Sequence, residues 1–350
     1  MIFPFSIKGK VLSMDIGAYK IKILEGSNTK MGVQINNFFS IRTPEGSLKD
    51  GIIMDKELIH YVISEELENR KIKTKNVFLT INSSRVITRE ILIPSVEYEE
   101  IYKVLRYQIE DYIPINIDDY IIQFKVLERI YIDDIERLKV LVIVVQKNII
   151  DDYYDLMINL NLKPMVLDYQ PNSISKILKY NNVINNTYPL RNLTVASIDI
   201  GYDNTKVSII KNGNIMLTKM VEIAGKHIDD NILKSNINDD LEEIKKKISN
   251  ISHSYNDISG NNNILDILKN SLLIIIDKVE SVFRYYLNKS TDNKINMIIL
   301  SGGIAKVNGL NNLFTNIFNI PTININSLDK VKFNGPLMDY INAVGAIIRE

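Results

Sequence analysis

The chain has 350 residues, of which 45% are hydrophobic and 24% charged, with Lys+Arg 42 balancing Asp+Glu 42. That length is more than one hydrophobic core usually serves, so two or more domains are expected, and the charge balance leaves no net field to draw nucleic acid or an anionic membrane. The absence of cysteine excludes disulfides, thiolate metal sites and cysteine nucleophiles, and the scattered His60, His227 and His253 do not form a histidine-rich metal site.

The first ten residues, MIFPFSIKGK, lack the basic segment and apolar run of a signal peptide. Residues 11–24 follow as strand–turn–strand, broken at Asp15-Ile16-Gly17 and resuming with Ile21, Ile23 and Leu24 spaced by lysines. A second strand–turn–strand is read over residues 77–93. Residues 97–112 then form an amphipathic helix, with Glu97, Glu99 and Glu100 in its first turn and Ile101, Val104, Leu105 and Tyr112 on one side. Strands at 121–127 and 139–145 lead to a helix over 149–160, which stops near Asn161 and Pro164; the wholly apolar 139–145 fits the middle of a covered sheet. A polar tract at 179–192 reads as a linker or long surface loop, and a second at 249–263 as an exposed loop. The longest apolar runs, 140–145 and 272–276, are far below the about 20 residues that span a bilayer. Residues 340–350 show no basic amphipathic anchor, and a soluble cytoplasmic protein is expected.

Beyond the polar tract the first hairpin has an echo. VLSMDIGAYKIKI, starting at Val11, and VASIDIGYDNTKV, starting at Val195, share an apolar lead, Asp-Ile-Gly, a lysine seven positions after the aspartate and an alternating strand. Turn glycines need only conformational freedom, so each aspartate calls for a second reason. Singly, Asp15 or Asp199 would do no more than bond its own turn amides. Together they offer two carboxylates that hold a hydrated Mg²⁺, with turn N–H groups as an anion cradle, and so form a clamp on a polyphosphate. A third feature is a hydrophobic strand running into Ser301-Gly302-Gly303, followed by Lys306, Gly309 and a helix over 310–318. Paired glycines let backbone approach a flat ligand; the stretch is neither a Walker A loop nor Gly-x-Gly-x-x-Gly.

In this order the three features resemble the actin- and hexokinase-type ATPase superfamily. The resemblance implies an α/β chain with the actin-like ATPase fold, two RNase H-like domains with central mixed sheets, binding ATP and Mg²⁺ between them. It assigns Asp15, Gly17, Ala18, Tyr19 and Lys22 to the first phosphate motif, and Asp199, Gly201, Asn204, Thr205 and Lys206 to the second. Gly302, Gly303 and Lys306 take the adenosine motif, Glu242 and Lys245 the purine–ribose helix, and Asp15 and Asp199 the metal. Ala343-Val344-Gly345 stands where the second connecting motif makes a small-residue helix contact. In the first connecting motif, Asp168 or Gln170 would orient the attacking water, while Asp168 serves equally as a cap for the helix beginning near Pro171. Hydrolysis is expected to be slow at best.

The stretch before the polar tract resembles the inserted 1C α+β subdomain of FtsA and its pilus relatives, implying domain 1A over 1–82, 164–192 and 337–350, 1C over 83–163, 2A over 193–225 and 294–336, and 2B over 226–293. Arg106-Tyr-Gln-Ile-Glu110-Asp-Tyr112-Ile-Pro114 is similar to a motif of the PilM family of type IV pilus assembly proteins, as is Lys163-Pro164-Met-Val-Leu-Asp168; Gln108 and Ala224 depart mildly from the family pattern. Membership implies a cytoplasmic scaffold recruited to the inner face of the membrane through its partners. Those are the cytoplasmic tail of a PilN-like membrane protein, gripped near Arg106, Glu110, Tyr112 and Pro114, and motor ATPases of the PilB/PilT type, with self-association open. An FtsA-like division protein, expected to carry a C-terminal membrane helix, and a small-molecule kinase of the superfamily are the alternatives.

Overall fold

The computed structural model describes residues 9–235 and 263–349. The first half opens with β1 (Val11–Ile16), β2 (Lys20–Thr29) and β3 (Gly32–Arg42), then a small hairpin of β4 (Leu48–Lys49) and β5 (Ile52–Ile53), α1 (Lys56–Asn69) and β6 (Asn76–Ile81). Next come β7 (Ile87–Pro94), α2 (Tyr98–Tyr112), β8 (Tyr120–Ile132), β9 (Ile135–Gln146), α3 (Lys147–Asn159), β10 (Lys163–Tyr169) and α4 (Gln170–Tyr180). After the short β11 (Val183–Ile184) and β12 (Tyr188–Pro189), the second half carries β13 (Thr194–Ile200), β14 (Thr205–Lys211), β15 (Asn214–Val221), α5 (Gly225–Lys234) and α6 (Asn263–Leu287). It ends with β16 (Met297–Ser301), α7 (Leu310–Phe318), β17 (Thr322–Asn324), β18 (Val331–Lys332) and α8 (Leu337–Ile347).

The sequence echo is an echo of topology. One sheet runs β10-β6-β1-β2-β3-β18 and the other β15-β14-β13-β16-β17. In each, three strands form an antiparallel meander, and two further strands join parallel on the side of the meander's first strand. The sheets share a core with α4 and α8 between them: Val11, Leu24 and Phe78 of one sheet join Val195, Ile210 and Ile299 of the other in one cluster with Ile177, Tyr340, Val344 and Ile347. A helix buried all round belongs between layers, and every residue of α8 except Met338 and Asp339 is buried. Its Gly345 permits the approach to α4, because a Cβ there would lie 2.3 Å from the Ser173 carbonyl oxygen. The small-residue contact expected at Ala343–Gly345 is thus present.

Three readings need correction. Residues 77–93 are not one hairpin: β6 lies parallel between β1 and β10, while β7 pairs antiparallel with β9 in a separate three-stranded sheet, β7-β9-β8, covered by α2. The near-continuous burial of β6 is that of a covered parallel strand, whereas a hairpin partner would alternate. On α2 the buried face is Ile101, Leu105 and Ile109, and Tyr112 is exposed. The tract at 179–192 is packed, not free: its β11–β12 turn has Asn185 and Asn186 at φ 53° and 57°, and Asn182 and Asn185 bond Asp329 and residues 324–327. Most of the loop expected at 249–263 lies outside the described residues.

Candidate functional site

The seven-residue spacing has a simple meaning in the sheet. Register places Asp15 directly opposite Lys22 across β1–β2, and Asp199 opposite Lys206 across β13–β14. Both turns close alike, with Gly17 N–H donating to the Lys20 carbonyl at 3.2 Å and Gly201 N–H to the Asn204 carbonyl at 3.1 Å. These two amides are therefore spent inside their own turns.

Neither aspartate decorates its turn. Asp15 is buried, and its Oδ1 accepts from the Thr80 hydroxyl at 3.1 Å and from Gln170 Nε2 at 2.8 Å; its Oδ2 lies 3.5 Å from Lys22 Nζ. Asp199 accepts from Asn342 Nδ2 at 3.1 Å, and Gly302 sits against its other oxygen. Gln170 spans the halves, since its Oε1 accepts from Lys206 Nζ at 2.9 Å while its Nε2 holds Asp15. The two lysines are shifted in opposite directions. Burial opposes the ammonium of Lys22, but Asp15, Asp199 and Asp339 outweigh it and raise the pKa. For Lys206 burial wins over Asp199, Asp15 and Asp50, and the pKa falls to about 7.

The hairpins face a cavity of about 440 Å³ bordered by Asp15, Gly17, Ala18, Tyr19, Lys22, Gln170, Asp199, Gly201, Asn204, Gly302, Gly303 and Lys306. Its far wall is apolar, with Ile232, Leu268, Ile304 and Val307. Of the other expected residues, Thr205 turns its hydroxyl to the Ile223 carbonyl, 2.7 Å away, and Lys206 is buried beneath the cavity on Gln170. Lys306, at the rim, pairs with Asp339 at 2.6 Å. Asp168 is corrected as a water-orienting residue: it is absent from the cavity wall and bonds Lys176 at 2.6 Å and Asn172 Nδ2 at 2.8 Å. Burial pushes its carboxyl up, yet Lys176 and Asn172 more than offset this and hold it below the usual value. Nor does Asp168 cap α4, whose N-cap position is Tyr169 and carries no side-chain bond. Glu242 and Lys245 lie outside the described residues.

Arg106, Glu110, Tyr112 and Pro114 are all exposed at the end of α2, away from the cavity, with Arg106 paired to Asp118 at 2.7 Å. Sequence reasoning missed Thr80, Asn82, Thr43 and Asn342. Thr80 stands beside Asp15 in register on β6, and Asn82 Nδ2 donates to Asn204 Oδ1 across the cleft at 3.2 Å. Thr43 fastens the first turn by donating to the Gly17 carbonyl at 2.6 Å. Only Asn342 lay next to a quoted motif.

Comparison with known proteins bears on the fold and the family. A chain of the PilM–PilN type IV pilus biogenesis complex is similar to this one at a TM-score of 0.79 and 20% identity, covering 98% of this chain and 100% of that one. The ethanolamine utilization protein EutJ from Carboxydothermus hydrogenoformans matches at 0.56 and 14%, covering 99% and 92%. MreB 5 of Spiroplasma citri bound to AMPPNP matches at 0.55 and 15%, covering 97% and 95%. The fold is the actin-like ATPase fold, α/β with mixed sheets. The family model for type IV pilus assembly protein PilM matches residues 13–340, and the chain belongs to that family.

Proposed function

We propose that this assembly protein is a nucleotide-binding scaffold, holding ATP and Mg²⁺ in the cleft and the cytoplasmic tail of a PilN-like inner-membrane protein on the module carrying α2. The observation that carries the nucleotide reading is the pair of hairpins of like register that present Asp15 and Asp199 to one cavity of about 440 Å³. The residues fit the group. Among the described residues no three His, Cys, Asp or Glu are placed to hold a metal by themselves. That suits Mg²⁺, which keeps waters and phosphate oxygens and touches protein through one or two carboxylates. Asn82 Oδ1, on the cavity wall, is buried without a partner, as a group awaiting a polar ligand would be. Mg²⁺ would supply charge neutralisation between the phosphates and the two carboxylates.

The chain's own residues set the rest. Asp15 and Asp199 would hold the ion, Lys22 would add a cation, and Gly302–Gly303 would leave room for the nucleoside beside the apolar wall. Gln170 is already engaged at both ends by Asp15 and Lys206, so a water would have to compete for it, and turnover is slow. The nucleotide then acts by favouring the closed arrangement of the two halves. The division into 1A, 1C, 2A and 2B belongs to the same reading. Among the described residues no helix is long and apolar enough to cross a membrane, and recruitment to the membrane runs through the PilN-like tail. The solved PilM–PilN complex supports that partner. Titration with a fluorescent ATP analogue and Mg²⁺ tests the clamp: Asp15→Ala and Asp199→Ala should each weaken binding at least tenfold, and unchanged affinity in both sinks it. Capture on an immobilised tail peptide should fall for Arg106→Ala and Tyr112→Ala, and equal capture by all forms removes those residues from the interface.

A further inference from the structure

Each turn carries a tyrosine, Tyr19 two residues after Gly17 and Tyr202 directly after Gly201, and the two meet. The rings of Tyr19 and Tyr202 have centroids 5.1 Å apart at 43°, one from each hairpin. The Arg42 guanidinium lies over the Tyr19 ring at 3.6 Å, and Tyr202 shares a hydrogen bond with the buried Asp229 on α5. Arg42 and Tyr19 belong to the first half, Tyr202 and Asp229 to the second. Each ring is mounted on backbone clamped to its own half. Thr43 N–H donates to the Tyr19 carbonyl at 3.1 Å, and Lys226 N–H to the Tyr202 carbonyl at 2.8 Å. Neither ring can follow the other if the halves part, so opening the cleft must break the stack.

We propose that Arg42, Tyr19, Tyr202 and Asp229 form a strap across the cleft that sets how fast a bound nucleotide leaves. The strap runs from exposed Arg42 to buried Asp229, and its Tyr19, Tyr202 and Asp229 line the cavity between the two turns. The Asn82–Asn204 bond, 3.2 Å long, is a second tie across the same gap. Of the strap's contacts the Tyr19–Tyr202 stack is the one that crosses between the halves, and stacked rings are worth more than the area they bury, while Arg42 and Asp229 hold each ring to its own half. The proposal rests on the nucleotide reading above.

The test is stopped-flow release of a mant-labelled ATP chased by unlabelled ATP with Mg²⁺. Tyr19→Ala and Tyr202→Ala should each speed release about tenfold. The double variant should be no faster than either single, because the two rings act as one contact. Tyr202→Phe should release at an intermediate rate, since it keeps the ring and loses the Asp229 bond. Where alanine costs the fold, as seen in a thermal melt, Tyr202→Leu keeps bulk without a ring face and reads the same question. Wild-type release rates in the alanine or leucine forms overturn the strap, as do effects that multiply in the double variant. No binding by the wild type overturns the nucleotide reading and the strap with it, whereas tight wild-type binding with unaltered variant release overturns the strap alone.

Discussion

The first and second hairpins share a motif, a register and a turn, yet they treat their charges in opposite ways. In the first, Lys22 stays on Asp15, its cross-strand partner, and remains an ammonium among three carboxylates. In the second, Lys206 leaves Asp199 for the neutral amide oxygen of Gln170 and lies 5.4 Å from the Tyr169 ring centre. The carboxylates are held differently too. A hydroxyl and an amide grip Asp15, while Asp199 has Asn342 on one oxygen and a bare glycine against the other. A repeated motif thus fixes where the backbone goes, and the neighbours that arrive from elsewhere in the chain decide protonation and orientation.

The largest expected effect breaks the support of Asp199. Gly302 sits at φ 90°, and a Cβ there would lie 2.4 Å from Asp199 Oδ1 and 2.4 Å from the Ile200 carbonyl oxygen. Both backbone strain and overlap oppose a side chain, so Gly302→Ala should cost about 2 to 4 kcal/mol in urea unfolding and displace Asp199. Thr80→Ala, at the neighbouring strand of the other hairpin, removes only one of three contacts to Asp15 and should cost about 1 kcal/mol. Equal costs would mean that the two aspartates are supported alike.

Much of this was legible in the sequence where a local pattern has one geometric solution. Asp-Ile-Gly between alternating segments marks both two-strand turns, although the lysine seven residues on is set opposite the aspartate only by the strand register, and Ser301-Gly302-Gly303 with a helix at 310–318 is present as β16 and α7. Strand partnership was less legible: alternation marked 77–93 as extended but carried no sign that β6 and β7 enter different sheets. Asp168 and Gln170 were read as equivalent because they stand two residues apart where β10 becomes α4. That change of backbone aims one side chain at Lys176 and the other at Asp15. Thr80 and Asn82 carry no local signal, since their roles arise from packing against residues 65 and 122 positions away.

The lysines sharpen the comparison with a middle-sized effect. Lys22→Met strips the cation from a buried carboxylate and should cost about 1 to 2 kcal/mol at neutral pH. A cost below the error of the unfolding curve would show that Thr80 and Gln170 suffice to hold Asp15.

The smallest effect is the most diagnostic of the difference between the halves. Lys206 has a folded-state pKa of about 7 against an ordinary value of 10.5. Between those values the unfolded chain binds a proton that the folded chain lacks, so stability rises with pH across that window and is flat below it. Wild type should therefore gain about 1 kcal/mol between pH 7 and 8 relative to Lys206→Met, which lacks the group and cancels all other titrations. Lys22, whose pKa is raised, contributes the opposite sign, with stability present below 10.5 and lost only as pH climbs through its higher folded value. A parallel pH dependence for wild type and Lys206→Met would place a charged ammonium beneath the cavity and make the two hairpins electrostatically equivalent. A diverging one means that the folded chain holds a neutral amine there above about pH 7, which phosphate bound as proposed above would recharge. The binding enthalpy of ATP near pH 8 would then track the ionisation enthalpy of the buffer, with one proton taken up as the nucleotide enters.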